Sequence, residues 1–101
     1  MADGCEFGAT LQLLARKHTL TILRTLAEKS PMCFNELKRA THINPKTLTD
    51  RLRELVEEEL VLRREVRKIP REVRYSLSEK GFELAKVFDV IKAWHEKYSN
   101  L

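Results

Sequence analysis

The chain of 101 residues has the length of one compact domain, and its 43% hydrophobic and 34% charged residues predict a small core beneath a very polar surface. It contains no run of about 20 apolar residues and no basic-then-apolar start typical of a secretory signal, so we expect a cytoplasmic protein that does not enter a membrane. Its two cysteines, Cys5 and Cys33, are too few for a disulfide scaffold and lack the paired spacing of a zinc site; we expect neither a metal nor another cofactor.

Helical patterns fill the first part of the chain. Apolar residues recur at helical spacing between residues 10 and 29, with a break near Lys17, which predicts one short helix followed by a longer one. Pro31 ends this pattern, because proline disfavours helix for the residue before it and cannot continue the backbone hydrogen bonds. A helix of about two turns then starts at once, with Lys38 facing outward, where a lysine suits contact with phosphate. Its predicted apolar stripe consists of Phe34, Leu37 and Ala40.

The most informative stretch is the helix predicted over residues 44–59. Asn44 is a preferred N-cap, and Pro45 suits the first helical position because its missing N–H would be unpaired there anyway. One side of the helix is apolar and the other is polar, so only one side can belong to the core. The apolar side carries Leu48, Leu52, Leu55 and Val56, and the first half of the exposed side carries Lys46, Thr47, Thr49, Asp50, Arg51 and Arg53.

The end of this helix is acidic, with Glu54 and then residues 57–59 all glutamate. DNA phosphates would repel these side chains, so the N-terminal half must face any nucleic acid. The second helix of a helix-turn-helix, called the recognition helix, docks on DNA in this way. We predict that motif over about residues 34–59, with the helix over residues 44–59 as the recognition helix. An ordinary surface helix with ion pairs such as Lys46 with Asp50 explains the stretch about equally well when it is taken alone.

A basic hairpin is predicted over about residues 60–77. Residues 63–74 hold six basic and two acidic side chains, and therefore carry the whole +4 excess of the chain. Pro70 at the tip stiffens a wing that could reach a phosphate backbone or a minor groove. A hairpin edge guarded by charges explains some basic residues but not their single sign, which favours contact with DNA. The alternating apolar residues are Leu60, Leu62 and Val66 on one strand and Val73, Tyr75 and Leu77 on the other.

The last predicted helix spans about residues 79–98 and starts at Ser78 with Glu79 close behind. At roughly 30 Å it is longer than a three-helix core and a hairpin can cover, unless it folds back on its own domain. Two-fold pairing through this helix and the first one would bury its late aromatics and place two recognition helices about 34 Å apart, on successive major grooves. The predicted interface residues are Leu11, Phe88, Ile91, Trp94 and Tyr98.

A set of residues recurs at characteristic spacing along nearly the whole chain: Lys17, Ile22-Leu23-Arg24, Phe34-Asn35-Glu36-Leu37, Lys46, Leu48-Thr49, Leu52, Glu54-Leu55, Leu60-Val61, Arg63, Pro70-Arg71, Val73, Tyr75, Leu77-Ser78 and Gly81. In these residues and in the order of its elements the chain resembles the HxlR-type winged-helix transcriptional regulators, relatives of the MarR regulators. The resemblance implies one mainly α domain over residues 1–101 with a small β-hairpin wing, which dimerises through its N- and C-terminal helices. It also implies a homodimeric regulator of a pseudo-palindromic operator.

The two cysteines have different predicted roles. Members of this family often carry a cysteine near the N-terminus that reacts with oxidants or electrophiles, and Cys5 occupies the matching place, so the resemblance implies a redox sensor there. Glu6 replaces the proline that usually follows, His18 replaces a common tryptophan, and the acidic neighbours Asp3 and Glu6 disfavour the reactive thiolate. Cys33, at the start of an apolar stripe, is predicted to be a small buried residue.

Taken together, the sequence predicts a sequence-specific DNA-binding transcriptional regulator and not an enzyme. The histidines are scattered, and no spacing of a metal protease or a phosphate-binding loop occurs. The alternative is a protein-binding adaptor whose hairpin meets an acidic partner; it predicts no sequence preference on DNA. The expected partners are double-stranded DNA and a second copy of the chain. The candidate DNA contacts are Lys38, Lys46, Thr47, Thr49, Asp50, Arg53, Arg67, Lys68 and Arg71.

Overall fold

The computed structural model describes the backbone of residues 2–99 and the side chains of residues 6–99. Its mainly helical architecture with a small antiparallel sheet confirms the predicted fold class. The elements in chain order are α1 (Ala2–Ala15), α2 (Thr19–Lys29), β1 (Met32–Cys33), α3 (Phe34–Thr41), α4 (Pro45–Glu57), β2 (Val61–Lys68), β3 (Arg71–Leu77) and α5 (Glu79–Ser99).

The start of α4 follows from the local chemistry of its first residues. The side-chain oxygen of Asn44 accepts a hydrogen bond from the backbone N–H of Lys46 at 2.9 Å, and Pro45 occupies the first helical position. This cap satisfies a donor that the helix itself cannot pair, as the sequence predicted. The preceding turn is closed by His42, whose backbone lies in the left-handed region with φ 58° and donates its N–H to the carbonyl of Lys38.

The core forms between α2, α3, α4 and the base of the sheet. The predicted stripe of α4 is confirmed: Leu48, Leu52 and Leu55 are buried, and Val56 is partly buried beside them. Burial of one such side chain stabilises the fold by about 1.5–3 kcal/mol, so this stripe holds α4 in place with its opposite side outward. The other core side chains are Ile22, Leu23, Leu26, Met32, Leu37, Ile43, Leu60, Val61 and Leu77.

The first helices differ from the prediction. The break near Lys17 is present, but α1 begins at Ala2 and has 14 residues against 11 in α2, so the shorter-then-longer order was wrong. The glycines at positions 4 and 8 interrupt the apolar rhythm and hide the early start of α1 in the sequence. In α3, Ala40 is exposed and does not belong to the buried stripe.

The sheet has the order β1-β3-β2, with both neighbouring pairs antiparallel. Beyond Val61 every residue of β2 is exposed, so the hairpin projects away from the core as a wing. The two strands predicted from the alternating apolar residues are present, but Leu62 and Val66 are each nearly half exposed and do not belong to the core. Val66 is also displaced by a bulge, since the strand pairing shifts by one residue between Glu65 and Arg67.

A compact junction joins the end of α4 to the start of α5. The Ser78 hydroxyl donates to the carbonyl of Glu59 at 2.6 Å and accepts the N–H of Gly81 at 3.0 Å. The Lys80 ammonium donates to the carbonyl of Glu58 at 2.9 Å. Gly81 is buried, and a Cβ at this position would collide with the carbonyl oxygen of Leu60. The backbone of α5 can therefore approach the base of the wing only because residue 81 has no side chain.

We predict that Gly81→Ala lowers the free energy of unfolding by about 1–3 kcal/mol, because the backbone at the junction must move apart to accept a methyl group. The measurement is urea denaturation of the purified protein. Gly8→Ala is the matched control, since an added Cβ there meets nothing within 4 Å and alanine is the better helix former. Equal midpoints for the two variants would contradict the close packing at Gly81.

Candidate nucleic-acid interface

The exposed side of α4 presents polar groups along its first turns. Lys46, Thr49 and Arg53 are exposed, while Thr47 and Asp50 are half-buried. Asp50 lies between two of the cations, with its carboxylate 3.0 Å from the Arg53 guanidinium and 3.9 Å from the Lys46 ammonium. The ion pair of Lys46 with Asp50 that the sequence indicated is therefore present. Both pairs lie on the face of α4 that would contact DNA, and they restrict the direction of the Arg53 guanidinium.

The turn before α4 adds further basic groups. Lys38 is exposed on α3, as predicted, and together with Arg39 and His42 it lines a shallow open depression. The rest of its lining is formed by Ile43 and, at the start of α4, by Asn44 and Pro45. Cations and the free N–H groups of a helix start favour the same kind of partner, an anion.

The three predicted wing contacts, Arg67, Lys68 and Arg71, are all exposed. Two of them are held by acidic neighbours: Arg67 lies 3.1 Å from the carboxylate of Glu72, and Arg71 lies 3.1 Å from that of Glu65. The hairpin tip at Ile69 is 90% exposed, which places an apolar side chain at the far end of the wing. Among the ion pairs between described side chains, none involves Arg63, Arg64 or Lys68.

Arg51 does not belong to the exposed face where the sequence pattern placed it. Its side chain is only 15% exposed; its Nε donates to the carbonyl of Lys17 at 3.1 Å, and the guanidinium also pairs with Glu54 at 3.3 Å. Glu54 in turn pairs with Arg16 at the end of α1, at 3.2 Å. Arg51 and Glu54 thus connect α4 to the α1–α2 link, a tertiary contact over 34 residues that helical spacing cannot reveal.

Cys33 was predicted to be buried, but it is half-buried and occupies the N-cap position of α3. Its backbone N–H donates to the Glu36 carboxylate at 2.9 Å, which reaches back from the first turn of α3. This hydrogen bond is the main reason that the pKa of Glu36 is lowered from its ordinary value of 4.5, with smaller contributions from Arg74 and Arg39. The side chain of Cys5 lies outside the described residues.

Exposed apolar side chains also occur on α1 and on α5. Four of the five predicted interface residues are at least half exposed: Leu11 at 50%, Ile91 at 52%, Trp94 at 64% and Tyr98 at 54%. The fifth, Phe88, is partly buried against its own core, so the first half of α5 folds back on the domain. From Asp89 onward every described residue of α5 is exposed, and the Trp94 and Tyr98 rings lie 5.8 Å apart.

A metal site finds no support among the side chains of residues 6–99. No group of three histidine, cysteine or acidic residues there is arranged to hold a metal ion. None of the helices described is both long enough and apolar enough to cross a membrane.

A helix-turn-helix followed by a projecting basic hairpin defines a winged helix-turn-helix protein. The family model described as HxlR-like helix-turn-helix matches residues 13–101, and the chain belongs to this family. The family consists of transcriptional regulators and not of enzymes, so this chain is a DNA-binding transcriptional regulator, as the sequence predicted.

Individual relatives agree with this assignment. The HTH-type transcriptional regulator BH0655 of Halalkalibacterium halodurans is 39% identical over 95 residues, which cover 93% of this chain and 84% of that protein. The structure of YtcD of Bacillus subtilis matches with a TM-score of 0.85 and 33% identity over 94% of this chain and 97% of that one. The reduced form of YodB of B. subtilis matches with a TM-score of 0.81 and 31% identity over 92% and 91%. YodB has also been solved after diamide treatment and with quinone bound.

We predict that Arg51→Ala and Arg53→Ala separate stability from DNA binding. Loss of the Arg51 guanidinium leaves the Lys17 carbonyl without its donor and Glu54 with Arg16 as its remaining partner, and should lower the free energy of unfolding by about 1 kcal/mol. Arg53→Ala removes an exposed ion pair and should change stability by less than about 0.5 kcal/mol while weakening DNA binding. Thermal unfolding and fluorescence anisotropy on duplex DNA make the comparison, and a larger stability loss for Arg53→Ala would refute it.

Proposed function

We propose that this regulator is a homodimer that reads a pseudo-palindromic operator, with α4 in the major groove and the hairpin against the phosphate backbone. The observation that carries the proposal is the joint exposure of two surfaces: the polar first turns of α4 and a wing that holds the whole charge excess of the chain. Because a regulator of this kind acts where the DNA is, we also propose a cytoplasmic location. A small-molecule effector is not part of the proposal.

The residues nearest the bases are Thr47, Thr49, Asp50 and Arg53. Arg53 suits a guanine edge, and the Asp50 carboxylate, 3.0 Å from that guanidinium, can orient it or accept from a cytosine amino group. Lys46 and Lys38 are exposed beside the helix start and suit phosphates. The acidic end of α4 at residues 57–59 supports this polarity, since the reverse docking would push three carboxylates toward the backbone.

The wing supplies the contacts outside the major groove. Arg67, Lys68 and Arg71 flank the hairpin tip, and their exposure suits them to a phosphate backbone or to the minor groove beside the recognition helix. Contacts of this type set register and affinity and carry little sequence information. Substitution of Lys68 should therefore weaken binding to all duplexes alike, whereas substitution of Arg53 should relax the choice of sequence.

Dimerisation is supported by the apolar surface of α1 and α5. A monomer would leave Leu11, Ile91, Trp94 and Tyr98 in water, and exposed large apolar side chains on the terminal helices are typical of an association surface. A two-fold axis pairs such a surface with itself and repeats the recognition helix at a fixed spacing. A spacing of about 34 Å would place the two copies of α4 on successive major grooves.

We predict that selection from random duplexes enriches an inverted repeat whose half-sites lie about 10 base pairs apart, centre to centre. Affinity for the selected duplex should fall steeply with salt, because the basic wing and helix displace counterions from phosphates. The measurement is selection at moderate salt, followed by a salt titration on the enriched sequence.

Trp94→Asp tests the dimer within the same experiment. It places a charge in the apolar surface, so sedimentation should show a shift toward monomer, and affinity for the inverted repeat should fall more than affinity for a half-site. Glu83→Gln, an exposed change elsewhere on α5, is the control.

The duplex selection has two outcomes that contradict the proposal. Weak enrichment of any sequence, with affinity that still falls steeply with salt, would leave a DNA-coating role. Absence of DNA binding would favour the protein-binding adaptor.

Redox sensing through Cys5 is a second candidate, favoured by the relative YodB, which has been solved in reduced, diamide-treated and quinone-bound forms. If Cys5 is the sensor, diamide should change operator affinity of the unsubstituted protein and leave Cys5→Ser unaffected. Equal sensitivity of Cys5→Ser would assign the effect to the half-buried Cys33. Unchanged binding of both proteins would remove the redox candidate.

A further inference from the structure

One carboxylate in the wing holds two of its arginines. The first oxygen of Glu72 lies 3.1 Å from the Arg67 guanidinium, and the second accepts from Nε and the terminal nitrogen of Arg74 at 2.7 and 2.6 Å. The side chain of Glu72 is 26% exposed, less than either arginine. Both carboxylate oxygens are therefore occupied by guanidinium groups at the edge of the surface that is proposed to meet DNA.

The strand register places these three side chains on one face of the hairpin. Arg67 stands directly opposite Glu72, and Arg74 is two residues further along the strand of Glu72. This pairing follows from the turn at residues 69 and 70, and the bulge after Glu65 separates it from the register at the base of the hairpin, in which Arg67 would stand opposite Arg71 and face the other way. The register of the hairpin tip therefore brings the three charged groups together.

The other acidic residue of the wing makes a separate and simpler pair. Glu65 accepts from Nε of Arg71 at 3.1 Å, and both are more exposed than Glu72. The two glutamates thus engage three arginines, while Arg63, Arg64 and Lys68 have no acidic partner among the described side chains. Of the six basic residues of the wing, only these three can therefore reach a phosphate without first leaving a carboxylate.

Arg74, one of the two arginines held by Glu72, lies beside the start of α3. Arg74 pairs across the sheet with Cys33, the residue that precedes α3, and the Arg74 charge contributes to the lowered pKa of Glu36 at the start of that helix. The Arg67–Glu72–Arg74 cluster is thereby attached to the element that carries Lys38. An arginine held in this way keeps a fixed position relative to the helix-turn-helix, whereas an unpaired arginine samples many rotamers.

We propose that Glu72 is a positioning residue for specificity: it holds Arg67 and Arg74 in one geometry and withholds them from the phosphates of non-cognate DNA. The inference rests on the proposed function, in which the wing meets DNA. A carboxylate near a phosphate backbone lowers affinity for every duplex, so its presence in a basic wing needs a compensating role. Stability is a weak explanation, because exposed ion pairs contribute little to folding.

The test compares three variants that remove one negative charge each: Glu72→Gln, Glu65→Gln and Glu83→Gln. On a random duplex, Glu72→Gln releases two arginines and should steepen the slope of log affinity against log salt by about 1–2. Glu65→Gln releases one arginine and should steepen it by about 1, and Glu83→Gln on α5 should leave it unchanged. The ratio of operator to random-duplex affinity should fall roughly five- to tenfold for Glu72→Gln.

Two results would overturn the proposal. One is an unchanged salt slope and an unchanged specificity ratio in Glu72→Gln, which would make Glu72 an ordinary surface charge. The other is an equal gain of affinity for operator and random duplex, which would reduce its effect to long-range charge. A wild-type measurement does not depend on folding of the variants: the Arg74 Nε–H signal should stay protected from exchange when random duplex is added, and its loss would refute retention by Glu72.

Different results would reject the proposed function and the proposed role of Glu72. If the wild-type protein binds DNA without preferring any sequence, the operator proposal fails, and the salt slopes on random duplex still decide whether Glu72 withholds its arginines. If the wild-type protein binds no DNA, both proposals fail together. If an inverted repeat is selected and the Glu72→Gln slopes match the control, only the role of Glu72 is rejected.

Discussion

Burial of a single stripe of α4 is the constraint on which the rest of this structure depends. Leu48, Leu52 and Leu55 are almost completely inaccessible to solvent, so the helix cannot rotate about its axis without exposing one of them. The opposite side is thereby fixed outward, with Arg53 and Thr49 exposed. Exposure of the polar side of α4 to solvent is thus a consequence of core packing, and the N-cap at Asn44 only decides where this exposed side begins.

The distribution of charge matters more than its total. The +4 excess lies entirely in the hairpin, yet Glu65 and Glu72 engage three of its six cations. A wing of unpaired arginines and lysines would bind any duplex more tightly, since each additional phosphate contact releases counterions whatever the sequence. The same arrangement recurs on α4, where Asp50 lies between Lys46 and Arg53. Both proposed DNA-contacting surfaces therefore combine cations with carboxylates that fix their direction.

Sequence reasoning succeeded where the signal is local. The cap at Asn44, the stripe of α4 and the hairpin with its tip near Pro70 all follow from neighbouring residues. It failed where a partner is distant: the strand β1 has two residues and exists only through pairing with β3, and the contact of Arg51 with Lys17 joins separate helices. The pairing of Arg67 with Glu72 could have been predicted, because a turn at residues 69 and 70 pairs Lys68 with Arg71 and then Arg67 with Glu72.

The junction at Ser78 would couple the proposed dimer helix α5 rigidly to α4. Ser78 and Lys80, at the start of α5, hydrogen-bond the carbonyls of Glu59 and Glu58 just beyond the end of α4. A dimer formed through the exposed second half of α5 would therefore hold the two recognition helices through these short connections and not through a flexible linker. Because the close approach at Gly81 leaves no room for adjustment, the half-site spacing should be a fixed property of the dimer. A change in the angle between the two α5 helices would then move both copies of α4 together. This motion would be the simplest way for a signal at the dimer interface to alter DNA binding.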